Sequence, residues 1–198
     1  MAHKKGTLEV VCGSMFSGKS EELIRRLKRA EIAKKNTLAF KHSLDDRKSI
    51  EHLVSHGGLK INAFAIDKAK MILDLTPPEI EIIGIDEVQF FNNEIISIIQ
   101  ELIHAGKRVI VAGLDLDFRG VPFSCIPGLM AIADTVTKLT AICMSCGKDA
   151  HFTQRLVNGT PAKHTDPIVL VGAQECYEAR CRNCFVIDKT PLWYHEQN

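Results

Sequence analysis

Three groups of residues have the types and spacing that chemistry requires. The first is Gly13-Ser14-Met15-Phe16-Ser17-Gly18-Lys19-Ser20, a complete match to G-x-x-x-x-G-K-[ST]. Glycines allow backbone N–H groups to turn inward around a phosphate without Cβ obstruction. A helix starting near Lys19 would add its positive end. Lys19 is then expected on the β- and γ-phosphates, and Ser20 Oγ on Mg²⁺. The competing reading is an ordinary Gly-containing turn with a surface lysine. The second group is Asp86-Glu87, after the apolar run Ile82-Ile83-Gly84-Ile85. An acid at the end of a buried strand suits the Mg²⁺ side of a phosphate loop, and its neighbour can take a proton from a hydroxyl or orient a water. Two solvated acids in a loop are the plain alternative. The third group is Cys143-Met144-Ser145-Cys146 with Cys181-Arg182-Asn183-Cys184. Two C-x-x-C knuckles supply the four thiolates of a closed, structural Zn²⁺ site. A redox pair is the alternative for either knuckle alone.

These residues need elements to hold them. Thr7–Cys12 is a short β-branched run that ends at Gly13. Ser20–Lys35 carries Leu23, Ile24 and Leu27 at helical spacing. Thr37–His42, Ile61–Ile66, Glu81–Asp86 and Lys107–Leu114 read as further strands. Asp67–Leu75 reads as a short helix stopped by Thr76-Pro77-Pro78. Asn93 is expected to cap a helix through His104, with Ile95, Ile96, Ile99, Leu102 and Ile103 on its buried side. Ser43–Gly58 is polar, holds His52 and His56 after His42, and reads as a solvated loop. This rhythm predicts an α/β fold, a mainly parallel sheet with helices on both faces. After Thr140 the apolar runs shorten and cysteines become frequent. The expected division is 1–140, a P-loop α/β domain, and 141–198, a small zinc-binding domain.

Composition limits the function classes. Lys+Arg total 25 against Asp+Glu 24, a formal net charge of +1. That balance argues against a general polyanion binder, which needs surplus cations. No apolar run approaches the ~20 residues of a membrane span, and the polar start of the chain does not read as a signal peptide. Seven cysteines, an odd count, speak against a disulfide framework. Cys12, Cys125 and Cys176 remain over; Cys12 reads as a buried strand residue, and the other two as small packing residues. Phe90, Phe91, Phe118 and Phe123 stack on a base or fill a core, core being the default.

The phosphate loop with Met15-Phe16-Ser17 inside it, the run Asp86-Glu87-Val88-Gln89-Phe90-Phe91, and Leu114-Asp115-Leu116-Asp117-Phe118 precede the two knuckles. In that order they resemble the zinc-containing thymidine kinases, the cytosolic type also found in many bacteria, from Thr7 to about Cys184. The resemblance implies a P-loop (RecA-like) sheet with a zinc-ribbon and lasso domain, and ATP-dependent phosphorylation of the thymidine 5′-hydroxyl. Glu87 matches the catalytic base, and Asp86 and Ser20 the Mg²⁺ side. Asp45 and Arg47 match an Asp-x-Arg element beside the nucleotide phosphates, and Gln89 falls among the cofactor-binding positions. Met15, Leu114 and Phe118 match the walls around thymine. Ile168, Val169, Leu170, Val171 and Gly172 match the lasso stretch that reads the base edge through backbone groups. Thr153 matches a further lasso contact, and Tyr177 a residue that seals the site. Ala173 departs from the family pattern, where a second glycine often follows Gly172. The resemblance also implies feedback inhibition by dTTP, a homotetramer and a cytoplasmic location, with no nucleic-acid or membrane partner. Two rival readings are a zinc-lid nucleoside monophosphate kinase and a non-catalytic zinc-ribbon ATP-binding module that binds nucleic acid.

Overall fold

The computed structural model describes residues 5–43, 49–54, 60–168 and 175–188. Strand β1, Thr7–Gly13, leads through residues 14–18 into helix α1, Lys19–Ile32. Strands β2 (Thr37–His42), β3 (Ser49–Val54) and β4 (Lys60–Ile66) follow, then the short helix α2 (Met71–Asp74). Strand β5 is Ile82–Asp86, helix α3 is Glu94–His104, strand β6 is Arg108–Gly113, helix α4 is Ile126–Ile132, and strand β7 is Thr135–Leu139.

These seven strands form one sheet in the order β3-β4-β2-β5-β6-β1-β7. All neighbours pair in parallel except β3 with β4. Parallel pairing aligns the C-terminal ends of β1, β5 and β6, so the phosphate loop and Asp86-Glu87 emerge on one edge. Ligands of open α/β sheets bind at that edge. Strand β5 is buried along its whole length, as a central parallel strand with helices on both faces must be. Leu23, Ile24 and Leu27 of α1 pack one face against Val11, Ile110 and Ala112. Ile95, Ile99 and Leu102 of α3 pack the other face, with Val10, Ile83 and Val111. Across the sheet surface, Glu9 joins Arg26 of α1 and Arg108 of β6 at 2.8 and 2.6 Å.

Three sequence expectations change. Ser43–Gly58 is not loop throughout, because Ser49–Val54 forms β3, antiparallel to β4. Its polar composition hides the strand, and pairing with β4 supplies the backbone partners that local sequence does not advertise. Asn93 does not cap α3: its backbone is already helical, and its side chain makes no capping bond. The Asn92 side chain instead accepts the Glu94 N–H at 3.0 Å. Ile98 joins the buried face of α3, and Ile96 and Ile103 are only partly buried against the core.

From Ala141 onward the strands form two small separate sheets. β8 (Ala141–Ile142) pairs with β9 (Asp149–Ala150), and β10 (Phe152–Val157) lies between β11 (Thr160–Pro161) and β12 (Glu175–Arg180). All pairs here are antiparallel. Among the described residues, no helix is long and apolar enough to cross a membrane.

Candidate active site

The phosphate loop joins a strand to a helix, and its two glycines have separate jobs. Gly13 has φ 144°, and a Cβ there would lie 2.4 Å from the Leu139 carbonyl oxygen. Strand β7 passes too close for any side chain. Gly18 is left-handed, φ 84°, at the start of α1, with no side-chain cap. The helix N-terminus therefore opens into the loop, with its positive dipole end at the site. Lys19 Nζ and Ser17 Oγ both donate to the Ser14 carbonyl at 2.8 Å, which keeps the ammonium against the loop. Burial lowers the Lys19 pKa, while Glu87, Asp86 and Asp115 oppose that shift. Phe16 is exposed, with φ 66°.

Ser20 Oγ donates to Asp86 Oδ2 at 2.7 Å. The phosphate-loop hydroxyl and the strand-end carboxylate, far apart in sequence, thus share one spot. Burial, reinforced by the charge of Glu87, raises the Asp86 pKa from the ordinary 3.8 to about 6. A carboxylate that costly to ionise gains from a cation beside it.

Glu87 adopts a left-handed backbone, φ 53° and ψ 37°. Such geometry is strained for a non-glycine residue and recurs at functional positions. The Gln89 side chain donates to Glu87 Oε2 at 2.6 Å and accepts the Leu114 N–H at 3.1 Å. Gln89 is buried with both ends of its amide in use, so it fixes Glu87 relative to the end of β6. Glu87 Oε1 takes no hydrogen bond from the described residues. His42, at the end of β2, packs edge-on against Phe91 at 4.7 Å, and burial lowers its pKa. Phe91, Phe118 and Phe123 are buried, whereas Phe90 is half-buried.

Beyond β6, Leu114 is half-buried and Asp115 pairs with Lys138 of β7 at 2.7 Å. Asp117 Oδ1 accepts the N–H groups of Arg119 and Val121 at 2.8 and 3.1 Å. That turn fixes the loop which carries Phe118.

The cysteine region docks directly on the phosphate loop. The Met15 N–H donates to Thr153 Oγ1 at 3.0 Å, and Ser14 Oγ donates to the Ala150 carbonyl at 3.3 Å. Ile168 is exposed and Tyr177 is half-buried on β12. Asp45, Arg47, Val169, Leu170, Val171, Gly172 and Ala173 lie outside the described residues.

Cys143, Cys146, Cys181 and Cys184 converge, with all four sulfurs within 4.8 Å of one another. Cys146 Sγ and Cys181 Sγ are 3.6 Å apart. Tetrahedral Zn–S bonds of about 2.3 Å imply S···S separations of about 3.8 Å, so the cluster is compatible with a zinc site. The Gly147 N–H bonds the Cys143 carbonyl at 2.9 Å, and the Cys184 N–H bonds the Cys181 carbonyl at 3.1 Å, closing the two knuckle turns. Of the remaining cysteines, Cys12 and Cys125 are buried as expected. Cys176 is exposed and is not a packing residue, because its position on the outer strand β12 faces solvent.

Two residues that sequence reasoning did not single out belong to this neighbourhood. Arg155 is fully buried beside Phe118, and Lys138 anchors Asp115. Nothing local marks either. A buried arginine can be recognised only once its strand has been placed.

The sequence model of the thymidine kinase family matches residues 6–185, spanning the phosphate loop, the Asp86-Glu87 strand end and both cysteine knuckles. The chain belongs to the thymidine kinase family.

Proposed function

We propose that this chain transfers the γ-phosphoryl group of ATP to the 5′-hydroxyl of thymidine, giving dTMP and ADP in pyrimidine deoxynucleotide salvage. One observation carries the reading. The phosphate loop, the Ser20–Asp86 contact at 2.7 Å and the Gln89-held Glu87 all meet on one edge of the sheet.

In this reading the loop from Gly13 to Ser20 wraps the ATP phosphates with its N–H groups, and Lys19 balances the charge of the moving phosphoryl. Asp86 and Ser20 would hold Mg²⁺, whose contribution when bound is to neutralise the β- and γ-phosphate oxygens. Glu87 Oε1 accepts the proton of the attacking hydroxyl, while Gln89 keeps the carboxylate from turning away. Asp45 and Arg47 would contact the nucleotide phosphates. Met15, Leu114 and Phe118 would wall the thymine, with Thr153, Tyr177 and the stretch from Ile168 to Gly172 closing over it. Closure excludes water, which would otherwise compete for the phosphoryl group.

The four cysteines would bind one structural Zn²⁺ and brace the region that carries Thr153 and Tyr177. We assign 1–140 and 141–198 as two domains on the change of architecture between β7 and β8. Family membership also supports feedback inhibition by dTTP, a homotetrameric assembly and a cytoplasmic location.

The test is a phosphoryl-transfer assay with ATP across the common nucleosides and nucleoside monophosphates. Turnover of thymidine, with weaker turnover of deoxyuridine, is expected. Turnover confined to monophosphates would replace this reading with a zinc-lid nucleotide kinase. Salt-dependent DNA binding without any nucleoside turnover would replace it with a nucleic-acid module.

A further inference from the structure

Thr153, Gln154 and Arg155 are consecutive polar residues on β10, and all three are buried. Successive side chains of a strand point to opposite faces, so Thr153 and Arg155 share one face and Gln154 takes the other. Their partners divide in the same way. Gln154 is tied to Val186, accepting its N–H at 2.8 Å and donating to its carbonyl at 3.0 Å. Thr153 meets the phosphate loop at Met15. Arg155 reaches further along that face.

Arg155 has 0 % exposure. Arginine is almost never buried so completely unless the surroundings compensate its charge. Its guanidinium is a rigid plane, with donors around the rim and faces that stack on aromatic rings. Both features are used here. Nη1 donates to the Pro167 carbonyl at 2.6 Å, and Cζ lies 5.0 Å from the centre of the Phe118 ring. Tyr177 is the residue directly opposite Arg155 on β12, so the two side chains leave the sheet on the same face. Phe118, Tyr177 and the chain that runs on from Pro167 into Ile168 are the parts assigned above to the nucleoside. They come from three separate stretches of sequence, and Arg155 is where those stretches meet.

We infer that Arg155 is a positioning residue for the nucleoside: its guanidinium fixes the Phe118 ring and the Pro167 carbonyl relative to each other, and so sets the width of the pyrimidine site. The inference rests on the thymidine reading above. Arg155 lies on the nucleoside side of Thr153, while the ATP phosphates belong to the loop and to α1. Its loss therefore acts on one substrate. A methionine fills similar volume but neither donates nor presents a cationic plane. A lysine keeps the charge as a point without the stacking face.

The experiment measures kcat and both KM values for the full-length chain carrying Arg155→Met, Arg155→Lys, Phe118→Leu, or Phe118→Leu with Arg155→Met, beside the unaltered protein. Arg155→Met should raise the thymidine KM at least tenfold and leave the ATP KM within twofold. Arg155→Lys should fall between. On the Phe118→Leu background, Arg155→Met should add much less than it does alone, because the ring it orients is gone. If Arg155→Met does not fold, Arg155→Lys decides. A thymidine KM raised threefold or more with an unmoved ATP KM supports the inference, and an unmoved thymidine KM overturns it. Parallel rises in both KM values would make Arg155 a general packing residue and overturn it too. If the unaltered protein phosphorylates no nucleoside, the kinase reading fails and takes this inference with it. If the unaltered protein turns thymidine over and the Arg155 variants match it, the inference alone fails.

Discussion

Leu23, Ile24 and Leu27 pack one face of the sheet behind the phosphate loop, and Ile95, Ile99 and Leu102 pack the other. Around the four cysteines the buried cluster is Ala141, Cys143, Ala150, Ala179 and Cys181. Alanines bury little apolar area. At about 25 cal/mol per Å² they offset only a fraction of the cost of ordering the backbone around them. The phosphate end is therefore held by two hydrophobic layers, whereas the cysteine end has little apolar packing of that kind and a cluster of four sulfurs compatible with a zinc site. The phosphate end can then tolerate an unfavourable arrangement of charge, with Asp86 buried beside Glu87, because its scaffold is stable without it. Beside those alanines the cysteine end has the Phe152–Phe185 stack, yet it carries Thr153 to the phosphate loop.

The contrast can be broken at either end. The largest loss of turnover is expected at the sheet edge. Glu87→Gln should lower kcat by about 10²- to 10⁴-fold, the usual contribution of a positioned general base. ATP binding, metal content and thermal midpoint should stay near those of the unaltered protein. Near-normal turnover would remove Glu87 as the base.

Removing sulfur or metal should affect the other end. Metal analysis should find one zinc per chain, and Cys181→Ser or a strong chelator should release it. Structural zinc supplies about 10–16 kcal/mol of apparent binding energy in small metal-folded peptides. Hydrogen exchange should then show loss of protection over β8 to β12, with α1 and β5 still protected. Equal loss in both regions would mean that they do not differ in what holds them.

The pH dependence of stability tests the charge arrangement. The folded-state pKa of Asp86 lies above its ordinary value, at about 6 instead of 3.8. Between those values the folded protein binds the proton more readily than the unfolded chain. Its ionisation thus destabilises the fold fully above pH 6, and acidification relieves the cost. Between pH 7 and pH 4.5 the unaltered protein should gain about 2 kcal/mol relative to Asp86→Asn in urea unfolding. A flat difference would place the cost elsewhere.

The smallest effect concerns the join between the two ends. Thr153→Val deletes the acceptor for the Met15 N–H and should cost about 1 kcal/mol of stability. Zinc content should not change. A thermal midpoint equal to that of the unaltered protein would show that the 3.0 Å contact contributes nothing.

The parts legible in the sequence were those whose chemistry is carried by neighbours in the chain. The phosphate loop, Asp86-Glu87 and the two knuckles each fit within eight residues or fewer. The strands that alternate with α1 and α3 were legible because burial writes its period into the residues. β3 was not, since its partner is β4 rather than a core-facing pattern of its own. The shift of the α3 cap from Asn93 to Asn92 was not legible either. Both asparagines suit the position, and only the path of the backbone chooses between them.

By itself, the sequence marked the G-x-x-x-x-G-K-S pattern, the acidic strand end and the two cysteine knuckles, because those patterns belong to residue types at short spacing. Tertiary structure alone decided that Ser20 meets Asp86, that Gln89 holds Glu87 against the end of β6, and that Arg155 joins Phe118 to Pro167. Those contacts join residues from separate elements. They depend on strand order and on which face of β10 turns inward, and both are set by packing the whole sheet rather than by any local run of residues.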